Sequence, residues 1–324
     1  MKTCLIIGAG ISGLLAAHRL NASGVEVTLV DKGRGVGGRM ATRRIGEAVF
    51  DHGAQFFTVR DAEFAAEVER WIAGDAAAEW CHGFLNREGV ASTDGHPRYR
   101  GTLGMTTIPK LLAQGLNIRT CERILSISAD AGGWKAISET GAEFTADALI
   151  LTSPVPQSLA LLDAGEVDLP DAYRQQLEAV RYDPCLALML RPTQSLIPSP
   201  GAIQFEGEPI SWIADNQRKG ISPVPAITVH AAPQFSKTHW DTPTEEVTTA
   251  LLEATGRWFE GPTLEAQLHR WRYAKPEILH PAPGLMSMLP HPVVFCGDAF
   301  GTPRVEGAAL SGMYAAEQLL ELGA

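Results

Sequence analysis

Hydrophobic positions open the chain as a short continuous run, Leu5-Ile6-Ile7, too brief for a helix and bounded by glycine, which predicts a buried strand. Apolar Leu14, Leu15, Ala17 and Leu20 then recur at helical spacing over Ser12–Leu20, and Gly24 ends that helix. Val25–Val30 is a second strand, closing on Asp31. A glycine-rich loop, Gly33–Gly38, precedes an extended stretch over Ala48–Thr58. Phe64, Val68, Trp71 and Ile72 mark a helix over Asp61–Ile72, and Met105–Leu112 another with Pro109 in its first turn.

From Asn117 to Leu151 the period changes from 3.6 to 2. Ile118–Ser128, Trp134–Glu139 and Phe144–Leu151 read as a three-stranded meander, after which Thr152-Ser153-Pro154 breaks the regular structure. Between Pro154 and Tyr273 lie β-patterned runs, Cys185–Leu190, Ile210–Ala214 and Ala226–His230. A helix over Pro243–Phe259 is expected there, capped by Thr242 with Glu245 closing a capping box. Val293–Cys296 is a last buried strand, and Glu306–Leu322 a last amphipathic helix.

At 324 residues, 45% hydrophobic and 20% charged, the chain is an ordinary globular sequence of about two domains. The expected division puts residues 1–60, 100–153 and 275–324 in a discontinuous nucleotide-binding part, and 61–99 with 154–274 in a substrate part. The net charge of -10 argues against nucleic acid or an anionic membrane as partner. Five scattered cysteines without a C-x-x-C pair fit a reducing compartment, no apolar run reaches spanning length, and a cytoplasmic protein is expected. No histidine spacing forms a metal motif and no nucleophile elbow is present, so no metal is expected.

The chemistry lies in the glycines. Gly8, Gly10 and Gly13 form G-x-G-x-x-G between a strand and a helix, and Asp31 follows eighteen residues after the last of them, at the end of the next strand. Gly8 permits the turn, Gly10 lets backbone N–H groups approach a pyrophosphate, and Gly13 lets helix and strand pack; the helix start favours negative charge. Asp31 can accept hydrogen bonds from a ribose. Two further elements accompany this fingerprint: Gly35-x-Gly37-Gly38-Arg39 just after the acid, and VVFCGDAFGTPRVEGAALSG over Val293–Gly312.

These three elements resemble the glutathione-reductase-like flavoproteins that include the amine oxidases. The resemblance implies an α/β plus α+β fold: an FAD-binding Rossmann domain of the p-hydroxybenzoate hydroxylase/amine oxidase type with a smaller mixed-sheet substrate domain. It implies non-covalent FAD held by Gly8, Gly10, Ser12, Gly13, Asp31, Lys32, Gly38, Arg39, Gln55 and Phe56. Ile124 would pass near the adenine and Asp298 would bind a ribityl hydroxyl. Val305, Glu306, Gly307 and Ala308 would start a helix aimed at the flavin N1/C2=O edge, where reduced flavin carries negative charge.

The middle segments Asp51–Thr58, Trp212–Gln217 with Lys219, and His269–Tyr273 resemble the renalase group. That resemblance implies oxidation of 2- or 6-dihydro-NAD(P) isomers by hydride transfer to flavin N5, with O2 as acceptor and hydrogen peroxide as product. Hydride loss from a dihydropyridine leaves an aromatic cation and needs no general base, so no catalytic side chain is assigned. Phe57, Thr58, Val59, Arg60, His96, Pro97, Arg98, Asn216, Trp271, Arg272 and Tyr273 are the candidate substrate contacts. Two alternatives share the same ends: a flavin amine oxidase acting on small amines, which needs an aromatic cage, and a flavin-binding protein without turnover.

Overall fold

In the computed structural model, which describes residues 1–323, the chain divides into two units. The first comprises Met1–Gly38, Pro109–Arg181 and the chain from Pro276 onward; the second comprises Arg39–Ile108 and Tyr182–Lys275.

The first unit is built on a six-stranded sheet in the order Leu285–Ser287, Val293–Phe295, Ala148–Leu151, Thr3–Ile7, Glu26–Val30, Ile118–Arg119. All pairs are parallel except the first. Strands buried on both faces read as unbroken apolar runs, which is why Cys4–Ile7 and Ala148–Leu151 are buried throughout. The register sets Ile7 opposite both Val30 and Leu151, and Leu151 opposite Phe295. Gly8, Asp31, Thr152 and Gly297 therefore all emerge from the carboxyl ends of adjacent parallel strands, where open α/β sheets bind ligands. The helix Ile11–Ala22 is buried from Ile11 to Ala17, and the last helix, Val305–Glu321, from Glu306 to Ala309.

A separate three-stranded sheet holds Ile124–Asp130, Gly133–Ser138 and Glu143–Ala146. Two of the predicted meander strands are each two strands in fact. Ile118–Arg119 joins the parallel sheet, Cys121 turns the chain at φ 59°, and Ile124 then starts the meander. Likewise Asp147 divides Glu143–Ala146 from Ala148–Leu151, its carboxylate accepting the Lys2 and Thr3 N–H groups. Period-two patterning continues across such a switch of sheet, so it could not show the break.

The second unit carries a seven-stranded sheet in the order Phe259–Ile278, Arg181–Ser195, Ile227–Ala231, Ile210–Asp215, Ala202–Gln204, Ala77–Leu85, Ala91–Gly101. Leu186, Leu188 and Leu190 meet Ile213, Ile227, Val229 and Leu251 in its core. The hairpin Thr42–Ile45 with Ala48–Asp51 belongs to the same unit. The expected helix over Pro243–Phe259 is shorter, Thr244–Thr255, because Phe259 opens the twenty-residue strand. Pro243 is its N-cap and no side chain caps it; the Thr242 hydroxyl pairs instead with His239 Nδ1 at 3.4 Å, so the capping box does not form.

The unit boundaries also differ from the expected division. Residues 39–60 and 100–108 fall in the second unit, where Asp51 binds the Met105 N–H and the Thr228 hydroxyl. Residues 154–181 fall in the first, where the helix Val155–Ala164 packs on the meander so closely that a Cβ on Gly165 would stand 1.9 Å from the Ile127 carbonyl oxygen.

Candidate functional site

In the first unit, Gly8 turns the chain out of the sheet at φ 111°, a conformation that favours glycine, and donates its N–H to Val30. A Cβ there would also lie 2.3 Å from the Thr152 hydroxyl oxygen. Gly13 is required for packing: its Cβ would stand 2.1 Å from the Gly8 carbonyl oxygen. Gly10 differs from both. It caps the helix in an extended conformation, its Cβ would project into open space, and no side chain caps the helix. The first-turn amides are thus offered to whatever occupies that space, and a helix start offers an anion both N–H donors and a favourable dipole.

The acid and the second glycine loop gather at the same place. The Asp31 carboxylate accepts the Ala9 N–H at 2.7 Å and the Gly33 N–H at 2.6 Å, leaving further lone pairs. Gly37 donates to the Ala9 carbonyl at 2.8 Å, and Gly38 lies against Gly10. Glu122 N–H donates to Asp31 and Cys121 N–H to Gly33, bringing the segment before Ile124 alongside. Lys32 reaches Gln157 Oε1 at 3.2 Å from an exposed position.

The C-terminal motif closes the same end of the sheet. Gly297, at φ 130°, donates its N–H to the Ser311 hydroxyl at 2.8 Å and presents half-buried Asp298. Val305–Glu321 starts at Arg304 with no side-chain cap, Glu306 lies buried in its first turn, and Gly307 fits where a Cβ would come 2.1 Å from Thr302. Ser12 Oγ donates to the Ala308 carbonyl at 2.7 Å. The Ser12 hydroxyl is therefore spent on helix packing, and its backbone N–H is the group it can offer a ligand. Two uncapped helix starts, an open glycine cradle and a carboxylate on the next strand fit a dinucleotide with an anionic redox ring.

In the second unit, the Arg39 carbonyl accepts the Ala54 N–H, its guanidinium donates to the Tyr273 carbonyl at 3.2 Å, and Gly53 fits only without a Cβ, 2.1 Å from the Arg39 oxygen. Gln55 folds back, its Nε2 donating to the carbonyls of Asp51 and Gly53, while its buried Oε1 finds no hydrogen-bond partner in the protein. Phe56 stacks on Trp212 and meets Phe84, and the Arg98 guanidinium lies 6.0 Å from the Phe56 ring centroid. Arg98 is itself held by Asp94 at 2.8 Å and by the His96 carbonyl at 2.6 Å. Residues 55–56 and 96–98 are thus one cluster.

Other candidates part company with it. The Phe57 ring, 3% exposed, is core packing among Tyr99, Phe64 and Trp71. Asn216 is 0% exposed; its Nδ2 donates to the Ala226 carbonyl and the Thr228 hydroxyl, and its Oδ1 accepts the Asp51 N–H at 3.4 Å, which ties it into the packing of the unit. Exposed Arg272 lies over Trp240, and Tyr273 meets Tyr182 edge to face. Trp271 donates to the His52 carbonyl at 2.9 Å and packs against His52 and His269. Thr58 and Val59 are half-buried, Arg60 and His96 exposed, and Pro97 half-buried.

Sequence reasoning missed two groups. Lys219 and Asp51 form an enclosed ion pair, 2.6 Å apart and 168 positions distant, which no local pattern signals. His52, His230 and His269 also assemble: burial, with His269 and Arg43 nearby, pulls the His52 pKa down to about 3, and burial pulls His230 to about 4. Among the described residues no group of His, Cys, Asp and Glu is placed to hold a metal ion, and no helix is long and apolar enough to cross a membrane. All five cysteines are free thiols.

Comparison with known proteins agrees with this architecture. The NAD(P)-binding Rossmann-like domain profile matches residues 6–68, and the flavin containing amine oxidoreductase profile matches 72–320. The chain belongs to the flavin containing amine oxidoreductase family, and it is an FAD-dependent oxidoreductase of that fold. Within the family it is renalase-like: it is 25% identical over 337 residues to Renalase of Mus musculus, covering 97% of each chain. Among solved structures, a redesigned Putrescine Oxidase aligns at TM-score 0.73 with 13% identity over 99% of both chains. An oxidoreductase from Methanosarcina mazei aligns at 0.66 with 16% identity, over 97% of this chain and 100% of that one. These two show the fold.

Proposed function

We propose that the chain oxidises nicotinamide dinucleotides whose hydride sits at C2 or C6 of the ring, returning NAD(P)+ with O2 as final acceptor and hydrogen peroxide as co-product. Bound FAD supplies the hydride acceptor at N5 and the two-electron path to oxygen. The atoms balance: dihydro-NAD(P), O2 and one proton give NAD(P)+ and H2O2. The observation that carries the reading is Arg98 lying over Phe56, one cation beside one aromatic face. That pairing suits a ligand with both a flat ring and phosphates.

The protein's own share is orientation rather than proton transfer. In this reading the backbone at Gly8, Gly10, Ser12 and Gly13 receives the pyrophosphate of FAD, with Lys32 and Gly38 beside it. Asp31 receives its ribose, Ile124 borders the adenine, and Asp298 holds the ribityl chain. Val305–Ala308 supplies a positive helix end for the ring. Within the second unit, Arg39, Gln55 and Phe56 are the residues this reading assigns to a flavin, and Thr58, Val59, Arg60, His96, Pro97, Arg98, Trp271 and Tyr273 those it assigns to the substrate.

Anaerobic mixing of oxidised holoprotein with each dihydro-NAD(P) isomer, and with a panel of small amines, tests the reading through the flavin absorbance. Bleaching by a 2- or 6-dihydro isomer and not by amines is expected. Reduction by amines alone gives the site to an amine oxidase instead.

A further inference from the structure

Lys219 lies in the turn that follows the strand Ile210–Asp215, and its side chain is 0% exposed. Its ammonium meets Asp51 Oδ2 at 2.6 Å, the Gln55 carbonyl oxygen at 2.5 Å, and the Trp80 ring, with Nζ 5.0 Å from its centroid; Arg100 and Cys81 are also close enough to act on its charge. Asp51 is occupied on its other oxygen by the Thr42 hydroxyl at 2.5 Å and the Met105 N–H at 2.8 Å. Burial pushes the Lys219 pKa down, and the Asp51 charge opposes the shift.

Such a pair is a poor way to gain stability, since apolar residues of equal volume commonly do as well. Its distinguishing feature is direction. The Gln55 carbonyl shares a rigid peptide plane with the Phe56 N–H, so an ammonium held by Asp51 and donating to that oxygen fixes the plane. On one side of the plane, Gln55 Nε2 faces two backbone acceptors, Asp51 and Gly53. That settles the amide's orientation and leaves Oε1 buried without a donor. On the other side, Phe56 is stacked on Trp212 beneath Arg98.

We propose that Lys219 is a positioning residue: through the Gln55 carbonyl it aims Gln55 Oε1 at an N–H donor of the bound cofactor or substrate and sets the Phe56 ring against that ligand. The inference rests on the assignment of Gln55 and Phe56 to the ligand-binding face in the proposed function. The donor belongs to the amide or ring-imide class that both a flavin and a nicotinamide carboxamide carry.

The test uses holoprotein carrying Lys219→Met, and Lys219→Met with Asp51→Asn, each with and without Gln55→Ala. Four quantities are read: melting temperature, FAD dissociation constant, anaerobic flavin-reduction rate, and the dihydro-NAD(P) concentration giving half that rate. The single Lys219→Met variant loses stability because a carboxylate is left unpaired. The Lys219→Met/Asp51→Asn variant regains the melting temperature, since the neutral amide introduced by Asp51→Asn keeps an acceptor oxygen for Thr42 and Met105. It nevertheless retains a deficit of about tenfold in ligand affinity, the size of one lost hydrogen bond.

A deficit in the FAD constant places the donor on the flavin, and one in half-saturation places it on the substrate. Adding Gln55→Ala to the paired variant then changes little further, because the interaction is already lost. If the paired variant recovers affinity along with stability, or if Gln55→Ala costs as much in it as in the wild type, Lys219 is structural and the proposal falls. Failure of the proposed function is seen separately, as wild-type flavin that no dihydro isomer bleaches. The FAD constant then decides alone, and an unchanged value in the paired variant also rejects positioning.

Discussion

Ser12 and Ala308, 296 positions apart, are joined by a 2.7 Å hydrogen bond from the serine hydroxyl to the alanine carbonyl. The bond ties the first turn of the helix that opens the Rossmann unit to the first turn of the helix that ends the chain. Gly312 makes the approach feasible, since a Cβ there would stand 2.1 Å from the Ser12 carbonyl oxygen. The positive ends of two helices are thereby held in one place, which is what an FAD site with a pyrophosphate and a reducible ring asks of the fold.

Gly10 and Gly13 should separate cofactor binding from folding. Gly13→Ala drives a methyl into the Gly8 carbonyl and should lower stability by about 1–3 kcal/mol or more, an overpacking penalty. Gly10→Ala meets nothing, at an ordinary φ of -78°, and should leave the apoprotein's melting temperature unchanged while weakening FAD by an order of magnitude or so. Equal FAD affinity in Gly10→Ala and wild type would remove Gly10 from the pyrophosphate cradle.

Asp298→Ala should purify with less flavin. The ratio of absorbance at 450 nm to 280 nm reads this directly, and an unchanged ratio counts against a hydrogen bond from the ribityl chain. A lost hydrogen bond to a charged group is worth roughly 1.5–3 kcal/mol, enough to raise the dissociation constant tenfold or more.

Acid should destabilise the second unit through its histidines. The His52 pKa falls from 6.5 to about 3 on folding, so between those values the unfolded chain binds more protons than the folded one. Stability therefore rises with pH across this window and is lost on acidification, by about 2 kcal/mol at pH 5 for this one group. Urea melts at pH 7 and pH 5 should show that loss, and His52→Gln should shrink it. An identical pH dependence in the variant would show that some other group is responsible.

Phe57→Ala should behave as a core mutation. With the ring packed against Phe64, Trp71 and Tyr99, truncation should cost about 3–5 kcal/mol in unfolding free energy. The Michaelis constant of the protein that remains folded should stay within about twofold of wild type, as fits a residue that acts on stability alone. A large rise in that constant with ordinary stability would return Phe57 to the substrate face.

Much of the nucleotide end was legible in the chain itself, because its chemistry is local. Gly8, Gly10 and Gly13 set a strand–turn–helix whose geometry follows from their spacing, and the Asp31 carboxylate accepts the Ala9 and Gly33 N–H groups beside it. The glycine-aspartate turn at Gly297-Asp298 is legible for the same reason. The tertiary structure decided what each buried polar side chain meets. Asn216, polar and in a promising segment, is tied to Ala226, Thr228 and Asp51, while Lys219 meets a carboxylate 168 residues away. Periodicity and composition describe each residue against its neighbours in the chain. The partner of a buried charge or amide is chosen by packing between distant strands, so it becomes visible only once they are brought together.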